Sequence, residues 1–530
     1  MKTNRRIFLS STAIIAAAAA LPSRVAMAFA PNSASELAKD PRRPQFHLLP
    51  ARNWMNDPNG PIFWKGRYHM FFQYNPNAAV WGDMHWAHAW SPDMIHWKHL
   101  PVALAPTSGG PDADGCFSGT AVVHNGIPTL IYTGVAKASP EQATLRDGNN
   151  NFKETQLYAT SNDSMLRTWT KRPTPVIPAP PPGMQVTGFR DPAPWREPTL
   201  ANGAWLMAVG SGTKDKGGSI LLYKSSDLQA WEYLHVVAGS NKAGAGDATN
   251  PVDSGDMWEC PDLFPLGNKH VLIYSTQGKV FWKTGELDPN ELIFHEEQSG
   301  LLDHGSFYAP KTQLDKSGNR ILWGWIPETR PVAEYSAAGW AGLMSLPRVL
   351  TLGEDGRLRI SVASAVEKLR QREQKVSLKQ MQADATGNKE LLSDLRLKDA
   401  CGELLCTVKP TEPFSIDLLT PVDPKDAKAV ASQVSYISIR YSQANAKELV
   451  VDQQRLQIGL AAGEPLELRF FIDGSVIELF VNNQATCTKR FYYPGPTAPE
   501  IAISVTGKES DITRLSLWQL SPISKDRLTT

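Results

Sequence analysis

Three short acidic corners carry the chemistry of this chain: Asn53-Trp54-Met55-Asn56-Asp57-Pro58-Asn59-Gly60, Phe189-Arg190-Asp191-Pro192 and Trp258-Glu259-Cys260-Pro261-Asp262. Each joins a carboxyl group to a proline and to an aromatic or arginine neighbour. One such corner alone reads as a structural Asp in an Asx-type turn, because Asn, Asp, Pro and Gly in that order end a strand and open a tight turn. Three of them point to a shared site. Carboxyl groups around one pocket suit glycosidic bond cleavage: one carboxylate attacks or stabilises an oxocarbenium-like centre, and one carboxylic acid protonates the leaving oxygen. Glu259 is the better acid candidate, with Trp258 and Cys260 giving it a partly apolar setting. Asp57, among amides and turn N–H groups, should stay ionised. Asp191, beside Arg190, could hold sugar hydroxyls.

Residues so far apart in sequence need a fold that gathers them. From His47 to about Leu350 one pattern recurs: a polar corner, an alternating strand, a glycine turn, then a strongly apolar strand. The turn glycines are Gly66, Gly126, Gly203, Gly267 and Gly318, spaced 60, 77, 64 and 51 residues apart. Short strands, turn signals and a period near that of known blades predict a five-bladed β-propeller with four strands per blade. A sandwich or barrel fits five copies of one unit less well. In a propeller the innermost strand of each blade starts near the axis, so residues at one phase of different blades converge on a funnel. Asp57, Asp191 and Glu259 are placed at that phase in units one, three and four. The expected division is a propeller over residues 40–355 and a connector over 356–380, with a short helix at Ser364–Arg370. A second all-β domain, a sandwich, follows over 381–525. There Leu466–Ile472, the turn Asp473-Gly474 and Val476–Val481 read as a hairpin.

Composition narrows the partners. A formal net charge of +1 across 530 residues carries no field for nucleic acid or anionic lipid, so the partner is neutral. Fifteen of the sixteen tryptophans lie at or before Trp340, where aromatic faces can stack on sugar rings or fill a core. Residues 1–30 read as an address: the twin-arginine pattern Asn4-Arg5-Arg6-Ile7-Phe8-Leu9-Ser10, an Ala-rich apolar run, and an A-x-A site at Ala26-Met27-Ala28. Removing Met1 to Ala28 takes away Lys2, Arg5, Arg6 and Arg24 and no acid, which moves the formal charge from +1 to −3. The expectation is a bacterial protein exported to the periplasm or outside the cell, with no membrane span after the leader is removed. Five cysteines leave at least one unpaired. Cys116 and Cys260 read as small buried pocket residues, and one bridge among Cys401, Cys406 and Cys487 is plausible. Asp83, His85, His88, His96 and His99 invite a metal reading, but strand positions three apart face opposite sides, and no metal is expected there.

The three corners, in their order, resemble glycoside hydrolase family 32, the β-fructosidases: invertases, levanases, inulinases and fructan exohydrolases. The likeness extends to Phe72-Gln73-Tyr74-Asn75-Pro76, Trp81-Gly82, Phe117-Ser118-Gly119 and Gly339-Trp340 and covers nearly the whole mature chain. It implies a five-bladed propeller followed by a C-terminal β-sandwich, and a retaining reaction without cofactor on sucrose or β-fructans. Asp57 would be the nucleophile, Glu259 the acid and then base, and Asp191 the stabiliser of the transition state through fructose hydroxyls. Such a mechanism expects the carboxyls of Asp57 and Glu259 roughly 5–6 Å apart. Asn56, Gln73, Trp81, Phe117, Ser118, Arg190 and Trp340 match sugar-binding positions of the family, and Tyr308 joins them by its phase in unit five. A fructosyltransferase, in which a sugar accepts the fructosyl group, shares every motif, and a non-catalytic carbohydrate-binding propeller is the reading from another class. After the acid corner the chain reads Ser275-Thr276-Gln277-Gly278-Lys279 and lacks the acidic residue that plant-type invertases tend to carry there, so sucrose, inulin and levan all stay open.

Overall fold

A computed structural model describes residues 32–530 apart from 148, 214–215, 241–255, 376–381, 384–388, 423–427, 429–431, 443–447 and 462. The leader expected over residues 1–30 lies outside the described residues. Among the described residues, five antiparallel sheets follow one another along the first part of the chain. Each runs outward from an innermost strand: Asn53–Trp64 in blade I, Gly115–His124 in blade II, Val186–Arg196 in blade III, Glu259–Leu266 in blade IV and Tyr308–Leu314 in blade V. Neighbouring innermost strands touch in that order, and blade V returns to blade I, so the sheets close into a ring. The seam is stitched by Trp340–Ala341, which lies between the second and third strands of blade V yet pairs in parallel with Asn53 and Trp54.

The acidic corners are not turns. Each lies within its innermost strand, and each interrupts the pairing with the second strand. The register slips between Met55 and Pro58, Phe117 and Gly119, Arg190 and Ala193, Glu259 and Asp262, and Tyr308 and Lys311. These are β-bulges, which bend a strand and re-aim its side chains. In three of them the residue before proline is left-handed: Asp191 (φ 64°), Cys260 (φ 48°) and Ala309 (φ 50°). Proline is tolerated because, beyond the seam at Asn53 and Trp54, an innermost strand has a neighbour on one side and its other edge faces the axis. Gly210, on the second strand of blade III, allows the close approach of blade IV. A Cβ there would lie 2.6 Å from the carbonyl oxygen of Trp258 and 3.0 Å from that of Arg190.

The outer rim is held by a repeated turn. In blades I to III a Ser-x-Asp leads to a left-handed residue three positions before a tryptophan: Met94, Leu166 and Leu228 before Trp97, Trp169 and Trp231. Asp93 accepts from the backbone N–H of Ile95 and His96, and Asp227 from Gln229 and Ala230. The Asp side chain supplies the turn's acceptors locally.

Blade V ends later than expected. Leu358–Val362 is its fourth strand, inside the stretch assigned to a connector. Five residues are too few for a firm alternating signal, yet Leu358, Ile360 and Val362 bury into one core with Phe264 and Val271. The helix expected at Ser364–Arg370 is a 3-10 turn, Ser364–Leu369. Two sheets of six and seven strands then pack on each other as a sandwich, with the hairpin Leu466–Asp473/Val476–Val481 at its centre.

All five cysteines are free and buried, so the plausible bridge among Cys401, Cys406 and Cys487 does not form. Cys401 and Cys406 share the strand Cys401–Val408. Cys487 lies on a strand separated from it by two others, which puts the Cα atoms about 14 Å apart at the usual strand spacing. A disulfide needs less than about 7 Å.

An ionic network that water does not reach joins propeller to sandwich. Arg348 of blade V bonds Asp303 at 2.9 Å and Glu478 of the sandwich at 2.6 Å. His47 bonds Asp473 through Nδ1 at 2.8 Å and Glu478 through Nε2 at 3.0 Å. Burial pulls the His47 imidazolium down, but the two carboxylates outweigh it and push its pKa up to about 8 from 6.5. A folded-state value above the unfolded one means the stabilisation is full below the unfolded value and is lost as pH rises through the folded one.

Two outcomes follow from this packing. The unfolding free energy should fall by about 1.5 kcal/mol between pH 6.5 and pH 8.5, a slope that His47→Gln removes, as read by urea unfolding across a pH series. Thiol titration without reductant should count five groups in denaturant and close to none in the native protein.

Candidate active site

The bulges set which side chains reach the axis. The last paired residue before each slip is Met55, Phe117, Arg190, Glu259 or Tyr308, and the residues left unpaired are Asn56-Asp57, Ser118, Asp191-Pro192, Cys260-Pro261 and Ala309-Pro310. Glu259 therefore sits one residue earlier in phase than Asp191 and two earlier than Asp57, not at the same phase as the sequence spacing suggested. Cys260 occupies the position equivalent to Asp191. The bulge spreads successive side chains so that both positions of a corner serve one floor.

That floor is closely bonded. Asp57 accepts from Ser118 Oγ at 2.6 Å on one oxygen and from Asn56 Nδ2 at 3.0 Å on the other. Asn56 in turn accepts from the Trp54 indole N–H at 2.7 Å. Gln73, on the second strand of blade I, donates to Ser118 Oγ at 3.3 Å and to the Cys116 carbonyl at 3.1 Å. Asp191 accepts from the Cys260 backbone N–H at 2.8 Å, and its own N–H donates to Thr133 Oγ1 at 2.9 Å. The Cys260 thiol lies 3.5 Å from both the Asp57 and the Asp191 carboxylate. The residue after Glu259 is thus the link between the two aspartates.

Glu259 is held from two sides. Arg190 Nη2 donates to its Oε1 at 2.7 Å, and the Tyr308 hydroxyl donates to its Oε2 at 2.5 Å. Its side chain keeps 29% of its surface open, in keeping with a group that must meet a leaving oxygen. The apolar setting expected from Trp258 does not exist. Trp258 is fully buried and stacks on Tyr274 with ring centroids 3.9 Å apart, because successive residues of a strand face opposite ways.

The charges press on one another. Burial pushes the Asp191 carboxyl up to about 6, with the Arg190 guanidinium opposing and the charges of Glu259 and Asp57 adding to the rise. Burial also raises Asp57, against the hydrogen bonds from Ser118 and Asn56. The Tyr308 hydroxyl and the Cys260 thiol both titrate well above their usual ranges, first through burial and then through the surrounding carboxylates. Both stay protonated as donors.

Of the residues singled out by sequence, Asn56, Asp57, Gln73, Ser118, Arg190, Asp191, Glu259 and Tyr308 are joined in this network. Trp81 stands at its edge, 45% exposed, with its ring edge-on to Phe117 at 5.9 Å. Trp340 is not at the site surface. It is fully buried, donates its indole N–H to Asp40 at 2.8 Å, and packs against the guanidinium groups of Arg43 and Arg330. Its work is to seat the seam strand.

Sequence reasoning missed Thr133 and Glu154. Glu154 lies on Asn150–Thr160, the third strand of blade II, and pairs with Arg190 at 2.7 Å. The available signal was weak but present: Glu154 and Gln156 share one face of a strand whose later members, Leu157 and Ala159, are core.

Comparison with known proteins agrees with this geometry. Residues 47–361 match the model of the glycosyl hydrolases family 32 N-terminal domain, and residues 365–519 match that of the family 32 C terminal. A sucrose-6-phosphate hydrolase and a raffinose invertase of Escherichia coli are each 34% identical, over 90% of this chain and 94% and 95% of theirs. The crystal structure of fructan 1-exohydrolase IIa from Cichorium intybus superposes with a TM-score of 0.73 at 26% identity, covering 91% of this chain and 98% of that one. A sucrose-6-phosphate hydrolase from Lactobacillus gasseri gives a TM-score of 0.74 at 25% identity, covering 93% and 96%. Fold and both halves of the chain thus agree, and the protein belongs to glycosyl hydrolase family 32.

Proposed function

We propose that this chain is a retaining β-fructofuranosidase that releases terminal fructosyl units from sucrose, β-fructans or both. The observation that carries the reading is the floor itself: Asp57, Asp191 and Glu259, from three blades, meet around Cys260, Arg190 and Tyr308. Asp57 attacks the anomeric carbon of the fructosyl ring while the bond to the leaving oxygen breaks, and Glu259 gives its proton to that oxygen. Glu259, now a carboxylate, takes a proton from water. The water oxygen bonds to the same carbon as the bond to Asp57 breaks. Two inversions return the starting configuration.

The surroundings suit these roles. Ser118 and Asn56 hydrogen-bond the Asp57 carboxylate and favour its ionised form against burial. Arg190 stabilises the Glu259 carboxylate left after proton donation. Asp191 is the acceptor for sugar hydroxyls, and it plays that part only when ionised. Trp81 and Phe117 offer apolar faces at the edge for the part of the substrate beyond the fructose ring. No helix among the described residues is long and apolar enough to cross a membrane. Export through the Asn4–Ser10 leader belongs to the same proposal.

Asp57→Asn and Glu259→Gln should each lower kcat on sucrose by on the order of a thousandfold or more while leaving the fold intact. Proton NMR of the first product anomer should show retention. Product sizing should show free fructose, and longer oligomers in its place would substitute transfer for hydrolysis. Parental rates in either variant would remove the carboxylate from the mechanism. Because the Asp191 carboxyl titrates near pH 6, KM should rise as pH falls through about 6, and Asp191→Asn should keep KM high at every pH. Initial rates across a pH series read both.

A further inference from the structure

Glu154 cannot touch a substrate, yet its bonds lead directly to the candidate acid. It is fully buried, and both its oxygens are occupied. Oε1 accepts from Arg190 Nη1 at 2.7 Å, and Oε2 accepts from the Phe189 backbone N–H at 2.8 Å and the Thr144 hydroxyl at 2.9 Å. Its own N–H donates to the same Thr144 oxygen at 2.9 Å. Arg190 therefore forks between two glutamates: one sealed in blade II, the other, Glu259, open to the pocket at 2.7 Å from Nη2. A guanidinium keeps its charge at any working pH, so how that charge is divided bears on Glu259. A general acid has to hold a proton before it gives one up, and an unshared arginine at bonding distance keeps a carboxyl group ionised.

We propose that Glu154 is a positioning residue of the reaction. It takes one arm of the Arg190 fork, aims the other at Glu259 Oε1, and shares the guanidinium charge so that Glu259 can be protonated and deprotonated in turn. The proposal rests on the reading of Glu259 as acid and base. The other groups facing Glu259 are Tyr308 from blade V, Asp57 from blade I, Asp191 from blade III and Cys260 on its own strand, with Lys311 buried behind at the Pro261 carbonyl. Among them Arg190 is the cation in contact, and Glu154 is its second carboxylate partner.

Glu154→Gln keeps the shape and removes the charge. The full positive field of Arg190 then falls on Glu259 and favours its carboxylate. The alkaline limb of the kcat/KM profile on sucrose should move to lower pH by roughly 0.5–1 unit, with KM changed less than about twofold at pH 6. An alkaline limb that coincides with the parental one overturns the proposal, as does an equal loss at every pH. Should this variant fail to fold, Glu154→Asp draws the carboxylate back from the guanidinium by one methylene. A smaller displacement in the same direction supports the proposal, and an unmoved limb overturns it. Glu259→Gln is measured alongside: parental hydrolysis there would sink the acid assignment itself, whatever the Glu154 variants do.

Discussion

The site depends on one constraint: apart from the seam pairing of Asn53 and Trp54, the innermost strand of every blade has an edge that faces the axis and no strand beside it. A regular strand there would point alternate residues up and down its own sheet, and one side chain per blade at most would reach the floor. The bulge changes this. It lets two consecutive residues of each blade lean toward the centre, and it puts proline, which has no N–H to offer, where no partner asks for one. Left-handed backbone at Asp191, Cys260 and Ala309 is the local strain this requires, set where chemistry is concentrated.

Bringing acids together has an electrostatic cost, and the neighbouring groups offset it. Three carboxylates on one floor repel, and burial opposes their ionisation. Arg190 offsets part of this, but a lone cation would hold one carboxylate far more tightly than the others. Neutral donors do the rest: the Ser118 hydroxyl and Asn56 amide on Asp57, the Cys260 N–H on Asp191, and the Tyr308 hydroxyl on Glu259. Each favours one ionised group by a hydrogen bond instead of a full charge, which leaves the groups free to differ from one another.

The ring and its five units could be read from the chain because a glycine turn followed by an apolar strand is a local signal that repeats. The acidic corners were equally visible. What could not be read was phase. A one-residue slip in pairing leaves no mark on spacing, so spacing alone sets Glu259 level with Asp57 and Trp258 beside it, whereas Trp258 stacks on Tyr274. Trp340 shows a second limit. An aromatic in a matching motif looks the same whether it meets a sugar or holds Asp40 beneath a seam. Glu154 shows a third: a buried partner on a third strand has no motif, and only the pairing of polar residues on one face of Asn150–Thr160 hinted at it. The sandwich was legible as strands, whereas its grip on the propeller through His47, Arg348 and Glu478 joins residues more than a hundred positions apart.

The seam gives the ring a direction in time. Asn53 and Trp54 start the strand that bears Asp57, but their neighbours Trp340 and Ala341 are made almost three hundred residues later. During synthesis the first blade therefore waits with an open flank until half of the last one has emerged. Contacts of such long sequence separation form late and slowly. A nascent chain thus holds the Asp57 carboxylate long before it holds the neighbours that share its floor, and the site is assembled only when the circle shuts.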